Sequence, residues 1–168
     1  MYNITFEPID EANWRAALTL GVRPDQQRFV SEVVPIAAII LAKAFIRPGG
    51  KPWQPYAIYA DGALIGLIAL AYTHGNSDDY WIYHFFIDQR YQGQGYGNGS
   101  LKAFLYFVGQ RYPGCRMLQL TVHPENLLAQ RLYTKAGFQP TGAEAGGEPV
   151  YRYWMPQATQ GAQPDGST

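Results

Sequence analysis

Gln92-Gly93-Gln94-Gly95-Tyr96-Gly97-Asn98-Gly99 stands between an aromatic run, Tyr80 to Ile87, and a segment in which Leu101, Phe104, Leu105 and Val108 recur at helical spacing. Glycine has no Cβ, so its backbone reaches positive φ and lets a ligand come close. The first amides of a helix lack intrahelical partners and point outward. Strand, glycine loop and helix together make a cradle for a phosphate or pyrophosphate. The plainer reading is a glycine-rich turn that reverses the chain. Two well-known phosphate loops are excluded by spacing. A dinucleotide fingerprint needs G-x-G-x-x-G, but Asn98 follows three residues after Gly95 and Ser100 three after Gly97. A P-loop needs Gly-Lys-Ser/Thr, and Lys102 follows Leu101.

Working outward, the 168 residues suit one domain with its own core. The formal net charge is zero, which gives no basic face for nucleic acid. Cys115 is the only cysteine, so an intrachain disulfide is ruled out and a reducing compartment is expected. Glu7, Asp10 and Glu11 stand where a signal peptide carries basic and then apolar residues. The apolar run from Val33 to Ala42 contains Pro35 and ends at Lys43, short of the roughly 20 residues a membrane span needs. These features point to a cytoplasmic protein with neither nucleic-acid nor membrane partners.

Along the chain, Tyr2 to Glu7 alternates as an opening strand, and Asp10 is placed to cap a helix through about Leu20. Asp25 to Phe45 is helical in pattern but holds Pro35, which predicts a kink or two short helices forming one wall of a cleft. Tyr56 to Ala60 and Leu64 to Tyr72 read as a hairpin turning at Asp61-Gly62. Tyr80 to Ile87 is almost wholly apolar and is expected to be a central strand buried on both faces. Met117 to Val122 reads as a strand, Leu128, Leu132 and Ala136 share a helical face, and Gly137 suits the end of that helix. Phe138 to Thr141 and Val150 to Trp154 are the last strands. The result is an α/β domain over residues 1–155: a mixed, mostly antiparallel sheet of about six to seven strands with about four helices. Residues 156–168 have the composition of a disordered tail.

The loop contains Gln92-x-x-Gly95-x-Gly97, which resembles the Q/R-x-x-G-x-G/A signature of the GCN5-related N-acetyltransferase (GNAT) family. A second stretch, Asn126-x-x-Ala129-x-x-x-Tyr133-x-x-x-Gly137-Phe138, resembles that family's later motif, in the right order and separation. Within the family, Asp88 to Gly97 is most similar to the bacterial spermine/spermidine acetyltransferase group. The resemblance implies the acyl-CoA N-acyltransferase fold and acetyl-CoA as co-substrate. It also implies transfer of an acetyl group to a primary amine of a small polycationic acceptor, by direct attack in a ternary complex. A protein N-terminus or lysine as acceptor, and a non-catalytic acyl-CoA sensor, are the alternatives. A homodimer is also in keeping with the family.

Carried over residue by residue, the resemblance places the pantetheine arm along Phe86, Ile87 and Asp88, with the Ile87 N–H facing the thioester oxygen. Gln92, Gly93, Gln94, Gly95, Tyr96, Gly97 and Asn98 would hold the pyrophosphate, and Asn126 would bond the pantetheine; as an ordinary helix-start residue, Asn126 needs no such role. Tyr133 is the candidate general acid, since a tyrosine keeps its proton at neutral pH; without the family it reads as a packing residue. An aliphatic ammonium must lose a proton before it attacks, yet the fourth strand carries no carboxylate. His84 is the titratable residue on that strand suited to neutral pH, and alternation puts it on one face with Ile82 and Phe86. A buried structural histidine is the alternative. Glu32 on the kinked helix, Asp78, Asp79 or a water chain are the other routes for the proton. Trp53, Tyr72, Trp81 and Tyr83, with Glu32, Asp78 and Asp79, are placed to line a cation-attracting cleft or to fill the core. His74, His84 and His123 have no ligand-type spacing, so no metal is expected.

Overall fold

A computed structural model describes residues 2–157. The expected tail therefore lies mostly outside the described residues. Seven strands form one sheet: β1 (Ile4–Pro8), β2 (Trp53–Ala60), β3 (Ala63–Tyr72), β4 (Tyr80–Ile87), β5 (Met117–Thr121), β6 (Gln139–Ala145) and β7 (Glu148–Trp154). They lie in the order β1-β2-β3-β4-β5-β7-β6. Five helices accompany them: α1 (Trp14–Ala17), α2 (Gln27–Val30), α3 (Ile36–Ile46), α4 (Tyr96–Arg111) and α5 (Leu127–Ala136). The two shortest, α1 and α2, are single turns. The β2–β3 hairpin turns at Asp61 and Gly62, both at positive φ, as that dipeptide predicts.

Asp10 does not cap a helix reaching Leu20. Its carboxylate accepts from the Ala12 N–H and its carbonyl from the Trp14 N–H, so a turn comes first and α1 is only four residues long. Pro35 splits the next helical stretch as expected. Its ring cannot sit in a helix interior, and residues 31–35 form a bend between α2 and α3. Glu32 consequently lies in this bend, exposed, and not on a helix.

The helices cover the two faces of the sheet separately. On one face, Ala17, Leu20, Ile36, Ala37 and Ile40 pack against Ala57, Leu67, Ala69 and Phe86. On the other, Leu101, Phe104, Leu105 and Val108 of α4 and Tyr133 of α5 pack against Ile58, Ile68, Leu70, Ile82, Leu118 and Leu120. Residues two apart on a regular strand share a face, and residues four apart do too. Ile82 and Phe86 nevertheless fall on opposite faces.

The cause is a bulge in β4. Leu67 faces Phe86 and Ala69 faces Tyr83, so His84 and Phe85 stand where one residue would fit. His84 holds φ +50°, a left-handed conformation uncommon for a residue with a Cβ. The expectation that His84 shares a face with both Ile82 and Phe86 is thus corrected, because the bulge reverses the alternation at that point. Just past the bulge Gly66 pairs with Ile87, and a Cβ there would lie 2.3 Å from the Phe86 carbonyl oxygen.

A wedge opens on the other side of β4. β4 and β5 are the only parallel neighbours among the described strands, and they pair only at Tyr80–Leu118 and Trp81–Gln119. The two strands part after Trp81, ahead of the bulge. The half-buried residues of β4, Tyr83 to Phe85, line this opening, so the strand is not buried on both faces throughout.

Candidate active site

Two connected cavities occupy the wedge. One, of about 350 Å³, runs between the end of β4, the glycine loop and α5. The other, of about 390 Å³, opens between α2, α3, the bulge and the end of β5. Phe29, Val30, Phe85, Asn126, Ala129 and Tyr133 line both. Tyr133 and Asn126 therefore stand at the junction.

The first cavity is built around the glycine loop. Gly93 and Gly95 have φ of +76° and +87°, and a Cβ at either would meet open space. The demand there is conformational, since the chain must turn left-handed to enter α4. α4 begins at Tyr96, so Gly97 and Asn98 occupy its first turn, where amides lack helical partners. Gly97, Asn98 and Gly93 all line the cavity. Gln92 Nε2 donates to the Ile87 carbonyl at 2.8 Å and to Gln26 Oε1 at 2.9 Å, tying the loop to the strand end and to the α2 side. Gln92 Oε1 and Asn98 Oδ1 are buried without a hydrogen-bond partner. Buried polar atoms are seldom left unpaired, so these two are exceptions in the packing beside the loop. Tyr96 packs on Tyr2 and the Gln94 carbonyl accepts from the Tyr2 hydroxyl, so both serve to hold the loop against the first residues of the domain.

Backbone direction along β4 sorts the three residues expected to meet a ligand. The Asp88 N–H donates to the Ile65 carbonyl, and the Phe86 carbonyl points at Gly66. Both main chains therefore face β3. By alternation the Ile87 N–H faces the wedge, as its carbonyl does in accepting from Gln92. Of Phe86, Ile87 and Asp88, Ile87 turns its amide to the cavity, Phe86 also lines it, and Asp88 does not. Asp88 instead carries out a structural task. Its carboxylate, 2% exposed, accepts from the Gly21 N–H, the Arg90 N–H and Arg90 Nε. Burial alone would raise its pKa, but these bonds outweigh burial and hold it below the usual carboxylate range.

The second cavity holds the titratable groups. His84 Nδ1 lies 2.8 Å from the Val30 carbonyl, which can only accept, so Nδ1 carries the proton. Nε2 is then the lone pair, and Lys43 Nζ sits on it at 3.1 Å. Burial pushes the pKa of His84 down, the Val30 bond opposes this, and the charge of Lys43 adds to the lowering. Burial also lowers the pKa of Lys43. Trp53 stacks on Tyr83 with ring centres 4.5 Å apart, and Lys43 Nζ lies 5.0 Å over Trp53. The protein's own lysine thus already uses the aromatic face expected for a foreign cation.

Tyr133 is buried and packs edge-on against Phe138 with ring centres 5.7 Å apart. Its hydroxyl has no hydrogen-bond partner among the described residues. Burial, then the charge of Glu148, push its pKa well above the ordinary tyrosine value, so it stays protonated. Asn126 caps α5 by accepting from the Ala129 N–H at 3.2 Å. Leu128 is exposed and lines the first cavity with Leu132, with which it shares a helical face.

Several expected groups lie elsewhere. Asp79 accepts from Lys51 at 2.7 Å and Trp81 Nε1 at 2.8 Å, and also from Thr73. These bonds overcome the upward effect of burial and keep its pKa low. Asp78 pairs with Arg116 at 3.2 Å. Tyr72 stacks on Tyr80 on the α4 face, across the sheet from Tyr83. None of these three lines the junction with Tyr133. Cys115 is also remote and buried, its thiol pushed up to about 12 by desolvation. Sequence reading missed Lys43, Glu148, Phe85 and Gln26 as cavity groups. A single lysine or glutamate has no motif around it, and only the bulge brings Lys43 to His84. Among the described residues no three His, Cys, Asp or Glu side chains gather to hold a metal, and no helix is long and apolar enough to cross a membrane.

Comparison with known proteins agrees with this geometry. The model of a family described as "Acetyltransferase (GNAT) family" matches residues 25–138. The spermine/spermidine N(1)-acetyltransferase of Bacillus subtilis (strain 168) is 35% identical over 95 residues, 54% of this chain and 62% of that protein. The chain thus spans under two thirds of that relative's length. Among solved structures, spermidine N-acetyltransferase from Vibrio cholerae, in complex with CoA and spermine, superposes with a TM-score of 0.68 at 16% identity, covering 92% of this chain and 96% of that one. A complex of AAC(6')-Ib with paromomycin and acetyl-CoA gives 0.73 at 19% identity, over 97% and 99% of the two chains. At these identities the structures establish a shared fold.

Proposed function

Because the chain belongs to the acetyltransferase (GNAT) family, we propose that it transfers an acetyl group from acetyl-CoA to a primary amine of a small cationic acceptor such as a polyamine. The observation that carries this reading is the position of Tyr133. It is a buried, protonated hydroxyl at the single junction between a glycine-loop cavity and a polar cavity.

The first cavity fits the donor. The left-handed glycines and the free first-turn amides of α4 suit its phosphate groups. Gly93 to Asn98 would bind the pyrophosphate, and Asn126 the arm that leads inward. Leu128 and Leu132 give the arm an apolar wall. Acetyl-CoA supplies an activated thioester; what the chain adds is position and electrostatics. The Ile87 N–H is aimed to stabilise negative charge on the thioester oxygen, and a donor of this kind is worth about 2.7–4 kcal/mol of barrier. Tyr133 then gives its proton to the departing thiolate sulfur, while the acceptor nitrogen attacks directly from the second cavity. Cys115, remote and protonated, takes no part.

The proton of the acceptor ammonium is proposed to leave through His84 Nε2. Lys43 occupies that lone pair, so His84 serves as base once Lys43 is neutral or has moved aside; burial favours the neutral lysine. Glu32, exposed at the mouth of the cavity, is the second candidate. The pH–rate profile of His84→Ala against wild type tests this: a shifted acid limb is expected, and an unshifted one removes His84 from the role.

A further inference from the structure

Glu148 is the first residue of β7, directly after the Gly146-Gly147 turn, and it is half-buried on the wall of the second cavity. Its charge reaches Tyr133, whose pKa it helps to raise. Among the other charged residues of that cavity, Arg28 is paired with Glu125, and Lys43, itself in no ion pair, lies on the His84 ring and over Trp53. Glu148 and Glu32 take part in no ion pair among the described residues. Glu32 is exposed in the bend before α3, whereas Glu148 lies inward beside Tyr133. A carboxylate on a cavity wall with no cation of its own is placed to meet the cation of a ligand.

We propose that Glu148 is the acceptor-binding carboxylate, holding the ammonium group of a cationic amine beside Tyr133. The inference rests on the acetyl-transfer reading for what happens next, but not for the binding itself. Placement gives the acceptor an orientation. The cation meets Glu148 near the junction, and Glu32 stands at the mouth for a second ammonium on the same molecule. The wall that carries His84 and Lys43 offers no carboxylate, so the charges along an acceptor are matched by Glu148 and Glu32. Amines with two or more charges are therefore favoured over a monoamine of similar size, because each carboxylate finds a partner.

Calorimetric titration of spermidine into the protein, as wild type, Glu148→Gln, Glu148→Asp and Glu32→Gln, tests this without any turnover. Losing a charge-assisted hydrogen bond predicts at least about tenfold weaker binding in Glu148→Gln. Glu148→Asp restores part of the loss, and Glu32→Gln loses less than Glu148→Gln. Binding to wild type weakens with added salt more steeply than binding to Glu148→Gln, a difference that a merely structural role for Glu148 would not produce. Equal affinity in wild type and Glu148→Gln overturns the inference, as does absence of spermidine binding to wild type. Failure of the acetyl-transfer reading is seen separately, as no coenzyme A release with any amine.

Discussion

Replacing Tyr133 by phenylalanine removes one oxygen from the junction of the two cavities and nothing else. The hydroxyl makes no hydrogen bond to the described residues, so its loss leaves no buried group unpaired. The ring contact with Phe138 is kept. Stability should change by less than about 1 kcal/mol, a shift of no more than about 4 °C in melting temperature for a chain of this size. Donor binding depends on the glycine loop and Ile87, so its dissociation constant should stay within about twofold. Turnover should fall, because a positioned acid contributes about 10²–10⁴-fold and each factor of ten is about 1.4 kcal/mol of barrier. The expectation is a loss of at least tenfold in kcat. Burial and Glu148 keep the hydroxyl protonated beyond the ordinary tyrosine range, so wild type should show no alkaline fall at about pH 10 from this group. The assay is steady-state release of coenzyme A beside a direct titration of acetyl-CoA. Unchanged turnover, or a loss matched by weaker donor binding, refutes the acid role.

Three further outcomes follow from named contacts. Gly66→Ala puts a Cβ 2.3 Å from the Phe86 carbonyl, where backbone must shift, and should cost about 1–3 kcal/mol; an unchanged melting temperature would show that β3 and β4 give way there at little cost. Gly95→Ala meets no atom but must hold φ +87°, so about 1–2 kcal/mol of strain and weaker acetyl-CoA binding are expected in thermal and titration measurements. His84 has a depressed pKa when folded, so the unfolded chain binds its proton first as pH falls below about 6.5. Stability from this group is present above that pH and is lost below it, at up to about 1.4 kcal/mol per pH unit. Denaturant titrations should show that acid-side slope in wild type and a shallower one in His84→Gln.

Much of the donor side was legible because it is written in local chemistry. Left-handed glycines, an Asn cap and a helix start each follow from a few neighbouring residues, and Gly93, Gly95 and Asn126 stand as those rules expect. The helix break at Pro35 is equally local. The acceptor side depends on distant strands and on one irregularity. The bulge at His84 reverses alternation in β4, and His84 meets Val30 and Lys43, more than 40 residues away in sequence. No periodicity in Tyr80 to Ile87 announces it; the nearest hint is Gly66 on the opposite strand, where a close backbone approach excludes a side chain. Glu148 was invisible for a related reason, since a lone glutamate after a glycine turn reads as a solvated hairpin end. The early carboxylates, Asp78 and Asp79, looked catalytic by composition but are spent on Arg116, Lys51, Thr73 and Trp81.

The wedge between β4 and β5 is proposed to join a thioester donor to a cationic amine. Coenzyme A release from acetyl-CoA, measured with spermidine, spermine and a panel of mono- and diamines, tests it most directly. Release with the polyamines, weaker release with monoamines and a product carrying one new acetyl–nitrogen bond are predicted. Tight acetyl-CoA binding with no release on any amine would contradict the account and leave a donor-binding protein without transfer.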